Sequence, residues 1–536
     1  MPPLTSDVFV ASAANVLAPK FDDSSSQGVK DALVKKTPIK HEHTHKKLDG
    51  NKVIHEYSYP NDKMYWPHEL RRAYQSTPVE PSKDHRKVIV TIVMGGPISA
   101  VFLQQSLDGF CKVYGLPLPL TTLEVVPMPT ISQNYIEFFD DLVIAPLQGY
   151  LNSELYKTTN MFNNYDFLYY FKNVVLSDYG SSPLYAAAII DELLELYLEQ
   201  VFSSVIETLL DIQWSYAMNP YAKIRVVQSE SMDNIFSAVA FASDASNFAG
   251  GVATDIISMS WGCKESRLTK PEVDGLESNF SNDKICYLAS SGDTSDFVGY
   301  PSSSSNVLSV GGTSLYYNPV SDAMSQTTWY WDSSNGLSGA TGAGCGYSTH
   351  VDKPLYQSKV NFGEKRCIPD ICGVADPNTG VAIVFAGDGV NRKNLKYMIL
   401  GGTSLSCPLN AGMLSNVIQS FINHNSAMVL TTVNNPVTAN SLNLQKMFYE
   451  VYNSTVAIEY GLYSKCFYDV NLGSNGEFVT SNGFDVPTGL GSLYYDKFID
   501  IFFDFAALNK LKFTTDQKNI IKRLKMASLN KYLNSI

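Results

Sequence analysis

The sequence predicts an α/β fold with a mostly parallel central sheet, helices on both faces and one large domain. Short β-branched apolar runs recur along the chain, as at Lys87–Met94 and Ile224–Val227, and continuous runs of this kind are typical of strands buried in a parallel sheet. Helical patterns alternate with these runs, as at Phe102–Tyr114, which favours βαβ units. With 536 residues and 45% hydrophobic content, the chain is long enough to bury a large core.

The remaining elements are predicted, in chain order, as a short helix at His68–Tyr74, a strand near Thr122–Val126, a long helix at Leu184–Met218, and strands at Asp255–Ser260 and Ile285–Ala289. Beyond Leu308 the chain is rich in glycine, so we expect mainly loops up to about residue 400.

The two ends of the chain differ in composition from its centre. Residues 1–62 are polar and irregular, and we interpret them as a largely flexible extension. Within it His41, His43 and His45 alternate, so an extended chain would place them on one side; a metal site and a solvated linker both remain open. Residues 508–536 form a basic tail with a helical pattern, which fits a docked surface helix or a contact with a partner or a membrane surface.

Charge, hydrophobicity and cysteine content limit the partners and the cellular location that we expect for this protein. The net charge of −12 argues against nucleic acid as a partner of the main body. No apolar run reaches membrane-spanning length. The first residues lack the basic and apolar regions of a signal peptide, so we expect an intracellular or particle-associated protein, with its eight cysteines as free thiols.

The octet Gly401–Pro408 has the composition of a turn that presents a nucleophile. Ser404 follows small residues, with the apolar run Met398–Leu400 before it and a helical pattern after it. A serine at a helix N-terminus exposes its hydroxyl where backbone N–H groups can hold a developing anion. An ordinary Gly/Ser turn has the same pattern, so the interpretation depends on whether the chain also supplies a base and an oxyanion donor.

Histidine is the usual base for a serine nucleophile, and this chain offers few histidines in suitable positions. None lies between His85 and His350. His350 and His424 lack the small-residue setting of a catalytic histidine. A Ser-His-Asp triad is therefore poorly supported.

Carboxylates on the predicted long helix are alternative bases. Glu207 and Asp211 are four residues apart and so share one helical face. Two like charges this close raise the pKa of one of them, which suits a pair that shares a proton. Two surface acids have the same spacing, which recurs at Glu195 and Glu199, so spacing alone does not choose between them.

A series of motifs in a fixed order carries a family resemblance. The motifs are Leu70–Tyr74, Glu207–Trp214 with Asn219–Ala222, Asp255–Gly262, Ser290–Asp293, Tyr300–Ser302, Val310–Leu315, Pro369-Asp370, Asp376-Pro377 and Gly402–Pro408. Together they resemble the sedolisins, serine-carboxyl peptidases with a subtilisin-like fold that include the kumamolisins and the lysosomal tripeptidyl peptidase. The resemblance covers roughly Tyr65 to Phe505.

The resemblance implies a role for each of four residues. Ser404 would be the nucleophile, Glu207 the general base and acid, and Asp211 its orienting partner. Asp293 would be a protonated carboxylic acid that donates a hydrogen bond to the oxyanion, which it can do only while it keeps its proton. The chain departs from the family at Ser295, where glycine is usual.

The resemblance also implies a calcium site near the C-terminus of the domain. The side chains of Asp469 and Asp485 and the carbonyls of Val470, Ser481 and Gly483 would supply five oxygen ligands, and water a sixth, which suits Ca²⁺. Two aspartate-containing turns without a metal are the alternative. Ser481 stands where the family usually has glycine.

These expectations define a sedolisin-like peptidase domain over residues 63–507, with an expected insertion at 130–190. Its expected substrate is a peptide or an unfolded protein, cleaved through an acyl-enzyme. The alternative is a catalytically inactive relative that serves as a structural or binding module in an assembly.

Overall fold

The structure is a computed structural model that describes residues 64–503 with gaps, together with segments 9–10, 45–49 and 52–57. The residues not described within the main range are 84, 120–122, 140–143, 154–202, 296, 320, 332–339, 361–362, 386–396, 424–428, 435–440, 454–457 and 459–460. The expectations for the basic tail, for His41 and His43, and for most of the predicted insertion lie outside the described residues. So does the first half of the predicted long helix.

A central sheet of eight strands organises the domain. In chain order its strands are β1 (Ile89–Gly95), β2 (Glu124–Pro127), β3 (Lys223–Ser229), β4 (Ile256–Met259), β5 (Cys286–Ser290), β6 (Leu308–Asn318), β7 (Ala323–Thr328) and β8 (Ile371–Val374). Seven lie in the order β7-β6-β5-β4-β1-β3-β2, and β8 also pairs with β6. The pairs are parallel, except for antiparallel β6 and β7. The predicted mostly parallel α/β fold is confirmed.

The described helices lie before, between and after these strands. They are α1 (Pro67–Ala73), α2 (Ala100–Tyr114), α3 (Gln133–Phe139), α4 (Ala145–Asn152), α5 (Ser203–Met218), α6 (Ile235–Ser243), α7 (Lys270–Leu276), α8 (Thr403–Asn423), α9 (Leu444–Asn453), α10 (Leu462–Cys466) and α11 (Tyr495–Phe503). The end of α2 illustrates how local sequence sets the bounds: Gly115 adopts a positive φ of 65° and its N–H caps the Cys111 carbonyl, as glycine does at many helix C-termini.

The smaller strands pair outside the central sheet. They form one three-stranded sheet (Phe9–Val10, Trp261–Lys264 and Gly299–Tyr300) and the pairs Lys52–Tyr57 with His45–Asp49, Tyr330–Trp331 with Thr341–Gly342, Gly346–Asp352 with Lys365–Ile368, Val381–Val384 with Tyr397–Leu400, Val429–Thr431 with Ser441–Asn443, and Phe467–Tyr468 with Ser492–Leu493. Two described segments of the N-terminal extension thus form a hairpin, with Asp49 opposite Lys52.

The expectation of loops beyond Leu308 was wrong. β6 is an eleven-residue strand that pairs with β5, β7 and β8. Its glycines concealed it, because glycine in a strand usually signals weakness. Here they allow close packing: a Cβ on Gly311 would lie 2.6 Å from Pro369, and one on Gly312 would lie 2.5 Å from Ala375.

Helices α5 and α8 pack against each other in the middle of the domain. Every residue of α5 is buried, and so are the first nineteen residues of α8. The Ser215 hydroxyl donates to the Pro408 carbonyl (3.1 Å), and Asn219 Nδ2 donates to Ser415 Oγ (2.8 Å). Gly412 allows the close approach, because a Cβ there would collide with the Ser215 backbone. The pair therefore places the carboxylates of α5 beside the first turn of α8.

All eight cysteines lie in the described part of the chain, and all are buried free thiols. No helix among the described residues is long and apolar enough to cross a membrane.

Candidate active site

Ser404 lies on the first turn of α8, as the octet predicted, but its side chain is buried rather than exposed. The strand Tyr397–Leu400 leads into Gly401-Gly402, and α8 begins at Thr403. Gly402 has a φ of 93°, and a Cβ there would lie 2.6 Å from Asp293 Oδ2, so only glycine fits this turn without strain. The turn brings the start of α8 directly against the Asp293 side chain.

Pro408 leaves the Ser404 carbonyl without its usual hydrogen bond within the helix. Inside a helix, proline lacks the N–H that would bond to the carbonyl four residues earlier, which here belongs to Ser404. Instead, the Ser260 hydroxyl lies 3.4 Å from that carbonyl. The same hydroxyl donates to Asp211 Oδ1 (2.7 Å). Ser260 therefore connects the serine turn to the acidic pair.

Glu207 and Asp211 face Ser404 from α5. The Ser404 hydroxyl hydrogen bonds to the Glu207 carboxyl. Glu207 is 1% exposed and Asp211 is 0% exposed, so the alternative of two surface acids is wrong. Within the described part of the chain, Glu207 Oε1 and Asp211 Oδ2 have no hydrogen-bond partner. Ser404, Glu207 and Asp211 thus lie together in one buried site.

Burial governs the acidity of this site. It raises the pKa of Glu207 well above its ordinary value, the Asp211 charge raises it further, and the Ser404 hydrogen bond opposes both. Burial also raises the pKa of Asp211, opposed by the Ser260 hydrogen bond. Desolvation disfavours a carboxylate, and two adjacent carboxylates repel, so the pair favours holding one proton between them.

Asp293 approaches the serine turn from the loop after β5. Its Oδ1 accepts hydrogen bonds from the Thr403 backbone N–H (2.7 Å) and hydroxyl (2.8 Å). Its Oδ2 has no partner within the described residues. Burial raises the pKa of Asp293, while both Thr403 hydrogen bonds lower it. A proton on the unpartnered Oδ2 would therefore be available for donation beside Ser404.

The histidines do not change this arrangement. His350 Nε2 lies 2.7 Å from the Leu268 carbonyl, and His424 lies outside the described residues. Carboxyl groups, rather than imidazole, surround the Ser404 turn in the described structure.

The predicted calcium ligands lie in one loop segment closed by its own hydrogen bonds. Asp469 Oδ2 accepts from the Gly483 N–H (2.9 Å), and Asp485 Oδ2 accepts from the Ser481 N–H (3.0 Å). Burial, with a contribution from the nearby Asp469 charge, raises the pKa of Asp485 to about 6. Two neighbouring carboxylates in an all-oxygen setting fit the ligand preference of Ca²⁺, and a cation would offset their repulsion.

Three residues that contact this machinery were not assigned a role from the sequence. Ser260 and Thr403 stand inside quoted motifs, but their contacts with Asp211 and Asp293 depend on the folded chain. The third, Asn475, lies in the segment between Asp469 and Ser481, and its amide reaches the Ser295 carbonyl. Its position after Gly473-Ser474 signals only a turn.

The chain is similar in sequence to a known family of proteins and to two named relatives. The subtilase family profile matches residues 217–448. The chain is 32% identical to sedolisin from Pseudomonas sp. (strain 101) over 203 residues, covering 37% of this chain and 29% of that protein. It is 27% identical to kumamolisin from Bacillus sp. (strain MN-32) over 242 residues, covering 40% of this chain and 39% of that one. The matches thus span well under half of these relatives.

A solved structure extends the comparison over most of the chain. The structure of Pseudomonas sedolisin, a serine-carboxyl proteinase complexed with two molecules of pseudo-iodotyrostatin, has a TM-score of 0.53 and 22% identity, covering 82% of this chain and 97% of that one. The parallel sheet and this likeness define a subtilisin-like fold. The sequence matches likewise make the chain similar to sedolisin and kumamolisin.

Proposed function

We propose that the protein is a serine-carboxyl peptidase that hydrolyses peptide bonds with Ser404, Glu207, Asp211 and Asp293. The observation that carries the proposal is the hydrogen bond between the Ser404 hydroxyl and the buried Glu207 carboxyl. A carboxylate is a weak base, so it must contact the hydroxyl directly to remove its proton. The Ser260 bridge to Asp211 supports the second carboxyl in its orienting role.

In this mechanism Ser404 Oγ attacks the peptide carbonyl carbon while Glu207 takes the hydroxyl proton. The developing oxyanion accepts a hydrogen bond from protonated Asp293, whose Oδ2 has no other partner among the described residues. Glu207 then returns the proton to the leaving amine, and an acyl-enzyme remains. Water, deprotonated by Glu207, attacks the acyl carbon, and the proton passes back to Ser404 as the ester bond breaks.

The strand that follows Ser260 supports an extended peptide as substrate. Trp261 and Gly262 already pair in antiparallel register with an extended segment of the same chain, Phe9–Val10. A peptide that displaced Phe9–Val10 would pair with the same backbone groups of this strand edge. A peptide bound there would lie next to Ser260 and so close to the Ser404 turn.

Covalent labelling tests the proposal most directly. A fluorophosphonate or a peptide aldehyde should modify the protein, and digestion followed by mass spectrometry should place the fluorophosphonate adduct on Ser404. Pre-incubation with a cleavable peptide should slow the labelling. Labelling at another serine, or no labelling of a protein that hydrolyses peptides, would contradict this assignment.

We expect an acidic, bell-shaped pH profile set by Asp293 and Glu207 together. Asp293 donates only when protonated, so activity falls as pH rises through its pKa, which burial raises. Glu207 must be ionised to accept the Ser404 proton, so activity also falls at low pH. Because burial and the Asp211 charge raise the pKa of Glu207, this acid limb shifts to higher pH. Because the carboxyls interact, the apparent pKa values of the two limbs of the profile describe the group of carboxyls together and not single residues.

The variant Asp293→Asn provides the sharp test of the alkaline limb. An amide N–H donates at any pH, so the variant should lose that limb. It should also be slower, within the roughly 10²- to 10³-fold that loss of one oxyanion donor costs. Rates measured from pH 2 to pH 9 decide the matter, and an unchanged alkaline limb in the variant would remove Asp293 from this role.

We also propose that Asp469 and Asp485, with the carbonyls of Val470, Ser481 and Gly483, hold a structural Ca²⁺. When bound, the ion would neutralise the two carboxylates and tie both ends of the loop together. The support is the closure of the loop on these same carboxylates.

Chelation should therefore lower the melting temperature of the wild-type protein, because a ligand of the native state stabilises it by mass action. The variant Asp485→Ala should melt lower than wild type and should no longer respond to chelator. Differential scanning calorimetry with chelator and with added calcium measures both effects. A wild-type melting temperature that responds to neither would argue against the site.

A further inference from the structure

We propose that Asn475 is a positioning residue that holds the oxyanion loop, Gly292–Ser295, so that Asp293 faces the Ser404 turn. The inference rests on the proposed function, because it acts through the role proposed for Asp293. It concerns a side chain far from Asp293 in sequence, which contacts the opposite end of the same loop.

The first part of the oxyanion loop is held by its neighbours in the fold. The Gly292 N–H donates to Thr403 Oγ1 (3.0 Å). The Gly344 N–H donates to the Gly292 carbonyl (2.8 Å), and the Gly342 N–H donates to the Asp293 carbonyl (3.0 Å). These contacts fix the backbone up to Asp293.

Asn475 holds the far end of the loop. Its Nδ2 donates to the Ser295 carbonyl (2.8 Å) and lies 2.8 Å from Cys345 Sγ. Ser295 is the position at which this chain departs from the glycine expected in the family. A carbonyl held at each end of a four-residue loop leaves the Asp293 side chain little freedom to turn away from Thr403.

Asn475 is itself fixed in orientation. It is 2% exposed, and its Oδ1 accepts from the backbone N–H groups of Phe478 (2.7 Å) and Glu477 (3.2 Å). Donor and acceptor ends of the amide are thus both engaged, which excludes the flipped orientation. The side chain therefore acts as a rigid link rather than an adaptable one.

The segment around Asn475 is anchored to the central sheet. The Thr480 N–H donates to the Gly473 carbonyl (3.1 Å) and closes the turn. Just before it, the Leu472 carbonyl accepts from the N–H of Thr328 (3.0 Å), the last residue of β7. The position of Asp293 is thereby linked through Asn475 to the edge of the sheet.

The variant Asn475→Asp tests the donor end of the amide, which contacts Ser295, separately from the acceptor end, which contacts the turn. A carboxylate still accepts from Phe478 and Glu477, so the turn keeps its hydrogen bonds. While it is ionised, it cannot donate to the Ser295 carbonyl and repels it, since both atoms are acceptors; the variant is therefore assayed at the highest pH at which the wild type is active, because a protonated carboxyl would restore the donor. We expect kcat for a short peptide to fall by roughly tenfold to a hundredfold, the size of effect that a small misplacement of a catalytic group produces, with KM nearly unchanged.

Asn282→Asp, at a half-buried position, is the control for the same change of hydrogen-bonding groups. Asn282 makes the same two kinds of contact, since its Nδ2 donates to the Ser243 carbonyl (2.8 Å) and its Oδ1 accepts from the Lys284 N–H (3.1 Å). It lies outside the proposed site, so its variant should lose some thermal stability but keep kcat. If both variants lowered kcat equally, the effect of Asn475 would be structural only.

A double-mutant cycle provides the decisive readout. In an Asp293→Ala background the loop no longer carries the proposed donor, so adding Asn475→Asp should change kcat by less than about twofold. Independent, multiplicative effects of the two changes would overturn the inference. If Asn475→Asp fails to fold, Asn475→Ser replaces it, because its hydroxyl can still accept within the turn but is too short to reach Ser295.

The outcomes also separate this inference from the proposed function. A wild-type protein that neither hydrolyses peptides nor reacts with fluorophosphonate at Ser404 would overturn the proposed function and this inference with it. An active wild type whose Asn475→Asp variant keeps the full kcat would overturn this inference alone.

Discussion

Replacing Ser404 with alanine is expected to abolish peptide hydrolysis while leaving the protein folded. The change removes the proposed nucleophile, and loss of one member of a catalytic triad costs roughly 10⁴- to 10⁶-fold in rate. It removes only one hydroxyl from a buried helix turn and does not touch the backbone that forms the turn. Rates of peptide cleavage and the thermal melting curve of the purified variant measure the two effects.

Ser406→Ala is the control for this variant. Ser406 is buried on the same helix two residues later, where its hydroxyl lies 3.5 Å from Asn410 Nδ2. The two variants lose the same atom from the same element, so a stability effect should be similar in both. Only the Ser404 variant should lose activity, and full activity in Ser404→Ala would refute the assignment of the nucleophile.

Replacing Glu207 with glutamine should leave the protein nearly inactive. A neutral amide keeps the shape of the side chain and can still contact Ser404, but it cannot take up the hydroxyl proton. We expect a loss on the order of 10⁴-fold or more in kcat, comparable to removal of the base from other triads. Asp211→Asn should be strongly impaired but less so, because Asp211 reaches the serine turn through Ser260.

Glu277→Gln provides a buried-carboxyl control. Burial raises the pKa of Glu277 as it does that of Glu207, but Glu277 bonds to Ser304 and Tyr300 instead. Its variant should keep its kcat. Glu195→Gln and Glu199→Gln, which change acids of the same spacing, are also expected to be mild. If Glu195→Gln were the inactivating change, the acidic pair would be misassigned.

The structure also bears on the choice between an enzyme and an inactive relative. Four side chains that the proposed reaction needs lie around one turn, and two of them contact it directly: Glu207 through Ser404 and Asp293 through Thr403. A module that serves only assembly would not need buried carboxyls, whose desolvation costs free energy. The proposed reaction accounts for their burial, whereas a role in assembly does not.

The sequence alone was sufficient for the first five of the eight strands of the central sheet, β1 to β5. Continuous apolar runs identify β1, β3, β4 and β5 because a strand buried on both faces needs apolar residues at every position. The turn at Ser404 can also be predicted from the sequence, since Gly401-Gly402 is followed directly by a helical pattern. Such local signals need no knowledge of distant contacts. The strand β6 was missed because its glycines serve packing partners, Pro369 and Ala375, that lie far along the chain.

Only the tertiary structure shows what covers Glu207 and Asp211. The four-residue spacing of Glu207 and Asp211 recurs at Glu195 and Glu199, and spacing specifies a helical face without saying what covers it. Packing of α5 on α8 buries Glu207 and Asp211 and brings Ser404 to Glu207, which raises their pKa values because desolvation depends on the whole surrounding fold. The contact of Asn475 with Ser295 likewise joins residues 180 positions apart, a distance over which no local pattern carries information.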